Sequence, residues 1–179
     1  MQINNIEVEI RSFLSKEQYE HFLDYFKKNG KFVKEDYQET YYFDGEQDLR
    51  IQKNNFYAKI WLKSGKIHDE QREETEIKFD KEDFFKAEKL FLNLGYKTQI
   101  KWFRTRNVFE WQDITVTIDY SKGYGYIIEL EKMSDEENKN KDLEYLKNKM
   151  TELEIIQTPK EEFDAKYNYY KEHWEELTK

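Results

Sequence analysis

The sequence contains no cysteine and no long apolar run, and each absence excludes a class of protein. Without cysteine, the 179-residue chain forms neither a disulfide nor a thiolate metal site, a composition typical of a reducing compartment, so we expect the cytoplasm. No stretch approaches the roughly 20 apolar residues of a membrane-spanning helix. The first residues also lack the apolar segment of a secretion signal, and we therefore expect no membrane partner.

Histidine is also scarce, and acidic residues outnumber basic ones. The three histidines lie far apart at positions 21, 68 and 173, and no Ser-His-Asp or Cys-His arrangement supports nucleophilic catalysis. A net charge of −8 argues against a protein that binds nucleic acid by bulk attraction to phosphate. Aromatic residues make up 17% of the chain, which indicates a packed globular fold in spite of 38% charged residues. We expect one domain over 1–179, with its core over about 1–133 and C-terminal helices over about 138–178.

Capping residues and apolar spacing predict four helices. Ser15 and Gln18 form a capping box at the start of the first helix, which Asn29-Gly30 ends. Asp80 caps a second helix, whose apolar stripe includes Leu94. Two further helices lie near the C-terminus, and the second of them begins at a Thr158-Pro159 cap.

Alternation of apolar and polar residues predicts eight strands between these helices. They cover about 3–13, 37–44, 48–53, 56–63, 71–79, 98–110, 113–120 and 125–132. Strand, helix and strand occur twice in the same order, after Glu7 and again after Glu74, which suggests two halves related by an approximate two-fold axis. The predicted fold is α+β, an eight-stranded antiparallel β-barrel that is closed and flanked by helices.

Charged residues recur at every second position of these strands and so share one face. One interpretation is a solvated sheet face. Three features favour a binding face instead: charges of one sign are grouped, all five arginines lie on it, and an eight-stranded barrel can hold one small ligand. Carboxylates beside guanidinium groups match a divalent cation with a polyphosphate. The face comprises Glu7, Glu9, Arg11, Arg50, Lys59, Lys63, Arg72, Glu74, Glu76, Lys78, Arg104, Arg106, Thr115, Thr117, Asp119, Glu129 and Glu131.

The ordered motifs resemble those of the CYTH superfamily, the triphosphate tunnel metalloenzymes, which include class IV adenylyl cyclases and thiamine triphosphatases. The resemblance runs from the N-terminus to about Met133. It rests on Glu7-Val8-Glu9-Ile10-Arg11, Tyr41-Tyr42-Phe43-Asp44, Leu49-Arg50-Ile51, Trp61-Leu62-Lys63-Ser64-Gly65, Arg72-Glu73-Glu74-Thr75-Glu76, Arg104-Thr105-Arg106, Asp119 and Glu129-Leu130-Glu131.

The resemblance implies a role for each group of charged residues. Mg²⁺ or Mn²⁺ would be held by Glu7, Glu9, Glu129 and Glu131, with Asp119 behind them. Phosphate would be bound by Arg11, Arg50, Lys59, Lys63, Arg72, Lys78, Arg104 and Arg106. Arg11, Glu7 and Glu9 would be catalytic, and Glu74 and Glu76 would support their neighbours by ion pairing. Arg11 replaces the signature lysine, and since arginine stays protonated it cannot serve as an acid or base.

Three activities remain open for such a chain. A triphosphatase would hydrolyse inorganic triphosphate, a nucleoside triphosphate or thiamine triphosphate. A class IV adenylyl cyclase would convert ATP to cyclic AMP and pyrophosphate. A non-catalytic module would bind nucleotide or polyphosphate without turnover. In each case the expected partner is a small-molecule triphosphate, and the protein is expected to be a monomer or homodimer.

Overall fold

A computed structural model describes residues 6–63 and 74–179 of the chain, and it confirms the α+β class with eight strands and four helices in that part. A 3₁₀ turn, Lys81–Asp83, leads into the second helix. In chain order the elements are β1 (Ile6–Leu14), α1 (Lys16–Asn29), β2 (Lys31–Phe43), β3 (Asp48–Lys53), β4 (Ala58–Lys63), β5 (Glu74–Phe79), α2 (Phe84–Asn93), β6 (Thr98–Trp111), β7 (Ile114–Ser121), β8 (Gly125–Ser134), α3 (Lys139–Glu152) and α4 (Lys160–Leu177).

The strands form one antiparallel sheet in the order β1-β8-β7-β6-β2-β3-β4-β5. The predicted repetition of strand, helix and strand is confirmed as an order of elements, β1-α1-β2 and β5-α2-β6. The predicted closure is not confirmed. A closed barrel needs hydrogen bonds between its first and last strands. Within the described residues, β1 and β5 are the two ends of the pairing order.

The chain divides into two compact units, each with its own apolar core. The first unit contains described residues 6–35, 106–120 and 125–166, and the second contains 36–63, 74–105, 121–124 and 167–179. The core of the first unit is built from Ile10, Leu14, Phe22, Phe26, Phe109, Trp111, Ile114, Val116, Ile118, Ile128, Leu130, Leu146, Met150 and Ile155. The core of the second is built from Tyr41, Phe43, Ile51, Ala58 and Phe84.

The start and end of α1 follow the predicted signals. The Ser15 side chain accepts from the Gln18 N–H at 3.1 Å, and the Gln18 side chain accepts from the Ser15 N–H at 2.9 Å. Gly30 follows the helix in an extended conformation, and its lack of a side chain lets the end of α1 lie close to β6. A Cβ there would lie 3.0 Å from the Glu110 carbonyl oxygen and 3.1 Å from that of Phe26. A larger residue would therefore push the helix end away from β6.

The second predicted helix is confirmed, but its apolar stripe is shorter than expected. The Asp80 side chain caps the 3₁₀ turn by accepting from the Glu82 N–H, and Phe84 at the start of α2 is fully buried. Leu94, however, is 66% exposed. The helix ends at Asn93, so Leu94 falls just beyond the last position at which the helical period would direct it to the core.

Strand β2 begins at Lys31, six residues before the predicted start at 37. Its first five residues are exposed on both faces, so they lack the alternation by which a half-buried strand is recognised. The earlier start adds Asp36 to the polar face of β2, next to Gln38, which the predicted strand already contained. Within the described residues no helix combines the length and apolarity that crossing a bilayer requires.

Candidate functional site

Four carboxylates gather on one face of the first unit because of the register between β1 and β8. Glu9 lies opposite Glu131, and Arg11 lies opposite Glu129. Glu7 precedes Glu9 on the same face of β1, since side chains alternate along a strand. The alternate residues, including Ile10 and Leu130, are buried in the core and fix this orientation. We refer to Glu7, Glu9, Glu129 and Glu131 as the carboxylate cluster.

Negative charge in the carboxylate cluster is not fully compensated. Burial raises the pKa of Glu9 to about 7, and Glu129 adds to this rise more than Arg11 lowers it. Burial likewise raises the pKa of Glu131 to about 7, with Glu7 and Glu129 as further causes. The nearest compensation for Glu9 is Arg11, whose Nη2 lies 3.5 Å from Glu9 Oε1. An additional cation at this face would therefore be bound favourably.

Arg106 is held by two carboxylates of the first unit. Its Nε and Nη2 donate to Asp119 at 3.0 and 2.7 Å, and Nη2 lies 3.5 Å from Glu129 Oε1. Burial alone would lower the pKa of Arg106, but Asp119 and Glu129 hold it above its usual value. The Asp119 side chain is only 3% exposed. Asp119, predicted to stand behind the metal ligands, thus forms a bidentate pair with a predicted phosphate ligand.

The donor atoms of the carboxylate cluster suit a hard divalent cation, because Mg²⁺ and Mn²⁺ prefer carboxylate oxygen. In residues 6–63 and 74–179, no three carboxylate or histidine side chains are gathered closely enough to hold such an ion as they stand. Burial first, and repulsion from neighbouring carboxylates second, raise the pKa of Glu9 and Glu131. The fit to Mg²⁺ or Mn²⁺ is therefore one of chemistry and charge, and the predicted ligand set stays a prediction.

The second unit carries basic side chains on the polar face of β2–β5. Tyr42, Arg50, Trp61 and Glu76 form one row across these four strands, and Thr40, Gln52, Lys59 and Lys78 form the next. Ile51 and Tyr41, on the opposite face, belong to the core. We refer to Arg50, Lys59, Lys78 and Arg104 as the basic face of this unit.

Arg50 is the most constrained residue of the basic face. Its Nε and Nη2 donate to Asp48 at 2.6 and 2.5 Å, and its guanidinium lies 4.3 Å from the Tyr42 ring centre and 5.2 Å from that of Trp61. The Arg50 side chain is only 9% exposed. Two charge-assisted hydrogen bonds and two ring contacts fix the plane of the guanidinium before any ligand binds.

Lys59 and Lys78 both pair with Glu76. Their Nζ atoms lie 2.6 and 3.4 Å from its carboxylate oxygens, and Lys59 also lies over the Trp61 ring at 3.8 Å. Burial opposes ionisation of Glu76, but hydrogen bonds from both lysines hold its pKa below the usual value. Glu76 therefore has the ion-pairing contacts predicted for a supporting residue.

Arg104 is held by a chain of polar groups that the sequence did not reveal. Its Nε and Nη2 donate to Gln38 Oε1 at 3.0 and 2.6 Å, and the Gln38 amide donates to Asp36 at 3.0 Å. Asp36 is fully buried and also accepts from the Asn55 N–H. Starting β2 at residue 31 would have added Asp36 to the polar face, whereas Gln38 lay within the predicted strand and was not recognised as a partner of Arg104.

The remaining predicted residues are only partly described. Lys63 and Glu74 are register partners at the ends of β4 and β5, and the description covers their backbone alone. Arg72 lies outside the described residues. The roles of these three residues stay predictions.

A CYTH domain family model matches residues 5–167, a span that contains all eight strands, the carboxylate cluster and the basic face. The chain belongs to the CYTH family. The sequence comparison agrees: a protein of Methanocaldococcus jannaschii named "putative adenylate cyclase" is 34% identical over an alignment 141 residues long, and the match covers 72% of this chain and 79% of that protein.

Solved structures have a similar fold. A conserved hypothetical protein from Pyrococcus furiosus is 26% identical, with a TM-score of 0.66, and the match covers 84% of this chain and 91% of that one. A "putative adenylate cyclase" from Vibrio parahaemolyticus is 20% identical with a TM-score of 0.64, and the match covers 89% and 98% of the two chains. At that identity the second likeness concerns the fold alone.

Proposed function

We propose that this CYTH protein catalyses divalent-metal-dependent cleavage of a phosphoanhydride bond, and that its main activity is that of a triphosphatase. The observation that carries the proposal is the carboxylate cluster, in which burial and mutual repulsion raise the pKa of Glu9 and Glu131 to about 7. A fold keeps such a cluster at a cost unless a cation offsets it. Family membership supports a triphosphate as the substrate class.

The ligands of Mg²⁺ or Mn²⁺ would be Glu7, Glu9, Glu129 and Glu131. The bound cation would neutralise charge on the phosphoryl group as it is transferred. Because Asp119 is engaged with Arg106, its part is to orient that arginine.

The arginines supply fixed donors for phosphate oxygens. Asp119 orients Arg106, Asp48 orients Arg50 and Gln38 orients Arg104. A guanidinium group has five N–H donors, so these contacts leave donor capacity for a phosphate. Donors held in place before binding stabilise developing charge without reorganisation. This arrangement favours charge stabilisation as the main catalytic contribution of these side chains.

In the proposed reaction, water forms a bond to the terminal phosphorus of the triphosphate while the bridging P–O bond breaks. The products are orthophosphate and the diphosphate, and the protons of the water pass to the released phosphates and solvent. The role of Arg11 is electrostatic and involves no proton transfer. Its contribution is to neutralise charge beside Glu9 and Glu129.

A second candidate is adenylyl cyclase, favoured by the name of the relative from Methanocaldococcus jannaschii. The 3′-hydroxyl of ATP would attack the α-phosphorus, which forms cyclic AMP and expels pyrophosphate. This reaction needs a nucleoside site that holds the 3′-oxygen within about 3–3.5 Å of the α-phosphorus, in addition to triphosphate binding. Hydrolysis needs only triphosphate binding, so we propose it as the main activity.

Product analysis separates the candidates. Purified protein is incubated with tripolyphosphate or ATP, with Mn²⁺ or EDTA, and the products are resolved by ion-exchange chromatography. We expect orthophosphate from tripolyphosphate in Mn²⁺ only, lost in Glu9→Gln and kept in Glu20→Gln, which alters an exposed helical carboxylate. Formation of cyclic AMP from ATP would show that the main activity is cyclisation and not hydrolysis. Metal-dependent binding without any product would indicate a binding module.

A further inference from the structure

Thr117, in the middle of β7, has a buried hydroxyl without a hydrogen-bond partner. Thr117 is only 3% exposed, and its Oγ1 neither donates a hydrogen bond to nor accepts one from any group in the part of the chain that the structure describes. Buried hydroxyls in native proteins are nearly always satisfied, by protein or by bound water or ions. An exception therefore indicates a missing partner.

The strand pattern shows which face this hydroxyl lies on. Val116 and Ile118 are fully buried in the core of the first unit, so Thr117 between them points to the opposite face. Asp119, two residues further on, shares that face and binds Arg106 there. The Thr117 hydroxyl thus points to the same side as the groups proposed to bind metal and phosphate.

An aromatic contact indicates its position along the sheet. Tyr120 on β7 contacts Tyr126 on the neighbouring β8, with ring centres 5.0 Å apart. If these two residues are paired, counting three residues back along β7 and three forward along the antiparallel β8 places Thr117 opposite Glu129. Arg106 Nη2 lies 2.7 Å from Asp119 and 3.5 Å from Glu129, which agrees with this placement. Glu129 in turn lies opposite Arg11. The unpartnered hydroxyl therefore adjoins a member of the carboxylate cluster.

In the ligand-free protein, threonine at this position lowers stability, because its buried hydroxyl forms no hydrogen bond. Valine has nearly the same shape, is equally suited to a strand and leaves no polar atom unsatisfied. Mg²⁺ and Mn²⁺ keep several water molecules when carboxylates bind them, and those waters need hydrogen-bond acceptors. A threonine hydroxyl is such an acceptor, and a valine is not.

We propose that Thr117 Oγ1 hydrogen-bonds to a water molecule of the divalent cation bound at the carboxylate cluster. This rests on the proposed function, and it assigns Thr117 as a metal-positioning residue. The hydroxyl orients the hydrated ion without coordinating it directly.

Two measurements on Thr117→Val test the proposal, both with the full chain. In EDTA, we expect the variant to melt about 2–4 °C higher than the wild type, because the unsatisfied hydroxyl is gone. In calorimetric titration with Mn²⁺ alone, we expect binding about 5–10-fold weaker, the scale of one hydrogen bond lost. Thr117→Ser keeps the hydroxyl and should bind Mn²⁺ as the wild type does.

Thr40→Val is the matched control, because Thr40 is a buried threonine that accepts from the Gln52 amide at 2.9 Å. It should melt at a lower temperature than the wild type and bind Mn²⁺ normally. Unchanged Mn²⁺ affinity in Thr117→Val would overturn the inference alone, and so would a lower melting temperature in EDTA. A wild-type protein that binds no Mn²⁺ would overturn the inference together with the proposed function.

Discussion

Replacing Arg106 by glutamine tests whether the ion pair with Asp119 stabilises the first unit. The Arg106 and Asp119 side chains are 20% and 3% exposed and share two hydrogen bonds of 3.0 and 2.7 Å. Removing one partner of a buried pair typically costs about 3–5 kcal/mol, because the other charge stays buried without compensation. Since Arg106 is partly exposed, we expect the lower end, about 3 kcal/mol, measured by urea unfolding at pH 7.5.

The double-mutant cycle makes the prediction specific. Asp119→Asn removes the buried charge that Arg106→Gln would leave unpaired, so the double variant should lose about 1.5–3 kcal/mol less than the sum of the single losses. Lys31→Gln is the control, because Lys31 and Glu110 form a 2.8 Å pair with side chains 74% and 58% exposed. It should cost less than about 1 kcal/mol. Additive losses, or equal costs for Arg106→Gln and Lys31→Gln, would refute the reasoning.

Three other predictions follow from the described contacts. Asp48→Asn should weaken tripolyphosphate binding about 5–10-fold in calorimetry, because Arg50 loses the carboxylate that fixes it. The free energy of unfolding of the metal-free protein should fall as the pH rises from about 4.5 to 7. The reason is that Glu9 and Glu131, whose pKa values are raised, bind more protons in the folded than in the unfolded protein, and Mn²⁺ should abolish this fall. Gly123→Ala should cost at least about 1 kcal/mol more than Gly95→Ala, since both have positive φ but only the first Cβ would meet Leu177, at 2.6 Å.

Each of these three predictions has an outcome that would contradict it. Asp83→Asn removes the carboxylate of the exposed pair with Lys86 and should leave binding unchanged. Equal losses in this variant and Asp48→Asn would show an effect of net charge. A flat stability profile between pH 4.5 and 7 would mean that the carboxyls ionise normally in the fold. Equal costs for the two glycine variants would show that the clash relaxes without penalty.

The number and type of strands could be predicted because the polar face and the core face alternate in most of them. In β1, Ile10 belongs to the core while Glu9 and Arg11 do not, which is the alternation on which the prediction rests. The first residues of β2 failed this test, since a strand exposed on both faces has no alternation. The closure of the sheet depends on which strands pair, and a pattern along one strand carries little information about its neighbours.

The charged residues of the candidate site could be identified from the sequence, but their partners could not. Grouping by sign and by face singled out Arg50, Arg104 and Arg106. Asp48 and Gln38 were missed because a partner is chosen by side-chain geometry across or along a strand, and any carboxylate or amide within a few residues looks equivalent in sequence. Thr117 was placed on the correct face with no role, because only burial reveals that its hydroxyl lacks a partner.

The division of the chain into two units limits how the protein can be truncated. Neither unit is a continuous stretch: β2, β6, β7 and α4 each begin in one unit and end in the other. No single cut or gene fusion point can therefore release one unit intact. A deletion aimed at the basic face would also sever strands that complete the unit carrying the carboxylate cluster. The carboxylate cluster and the basic face therefore cannot be separated by one cut in the chain.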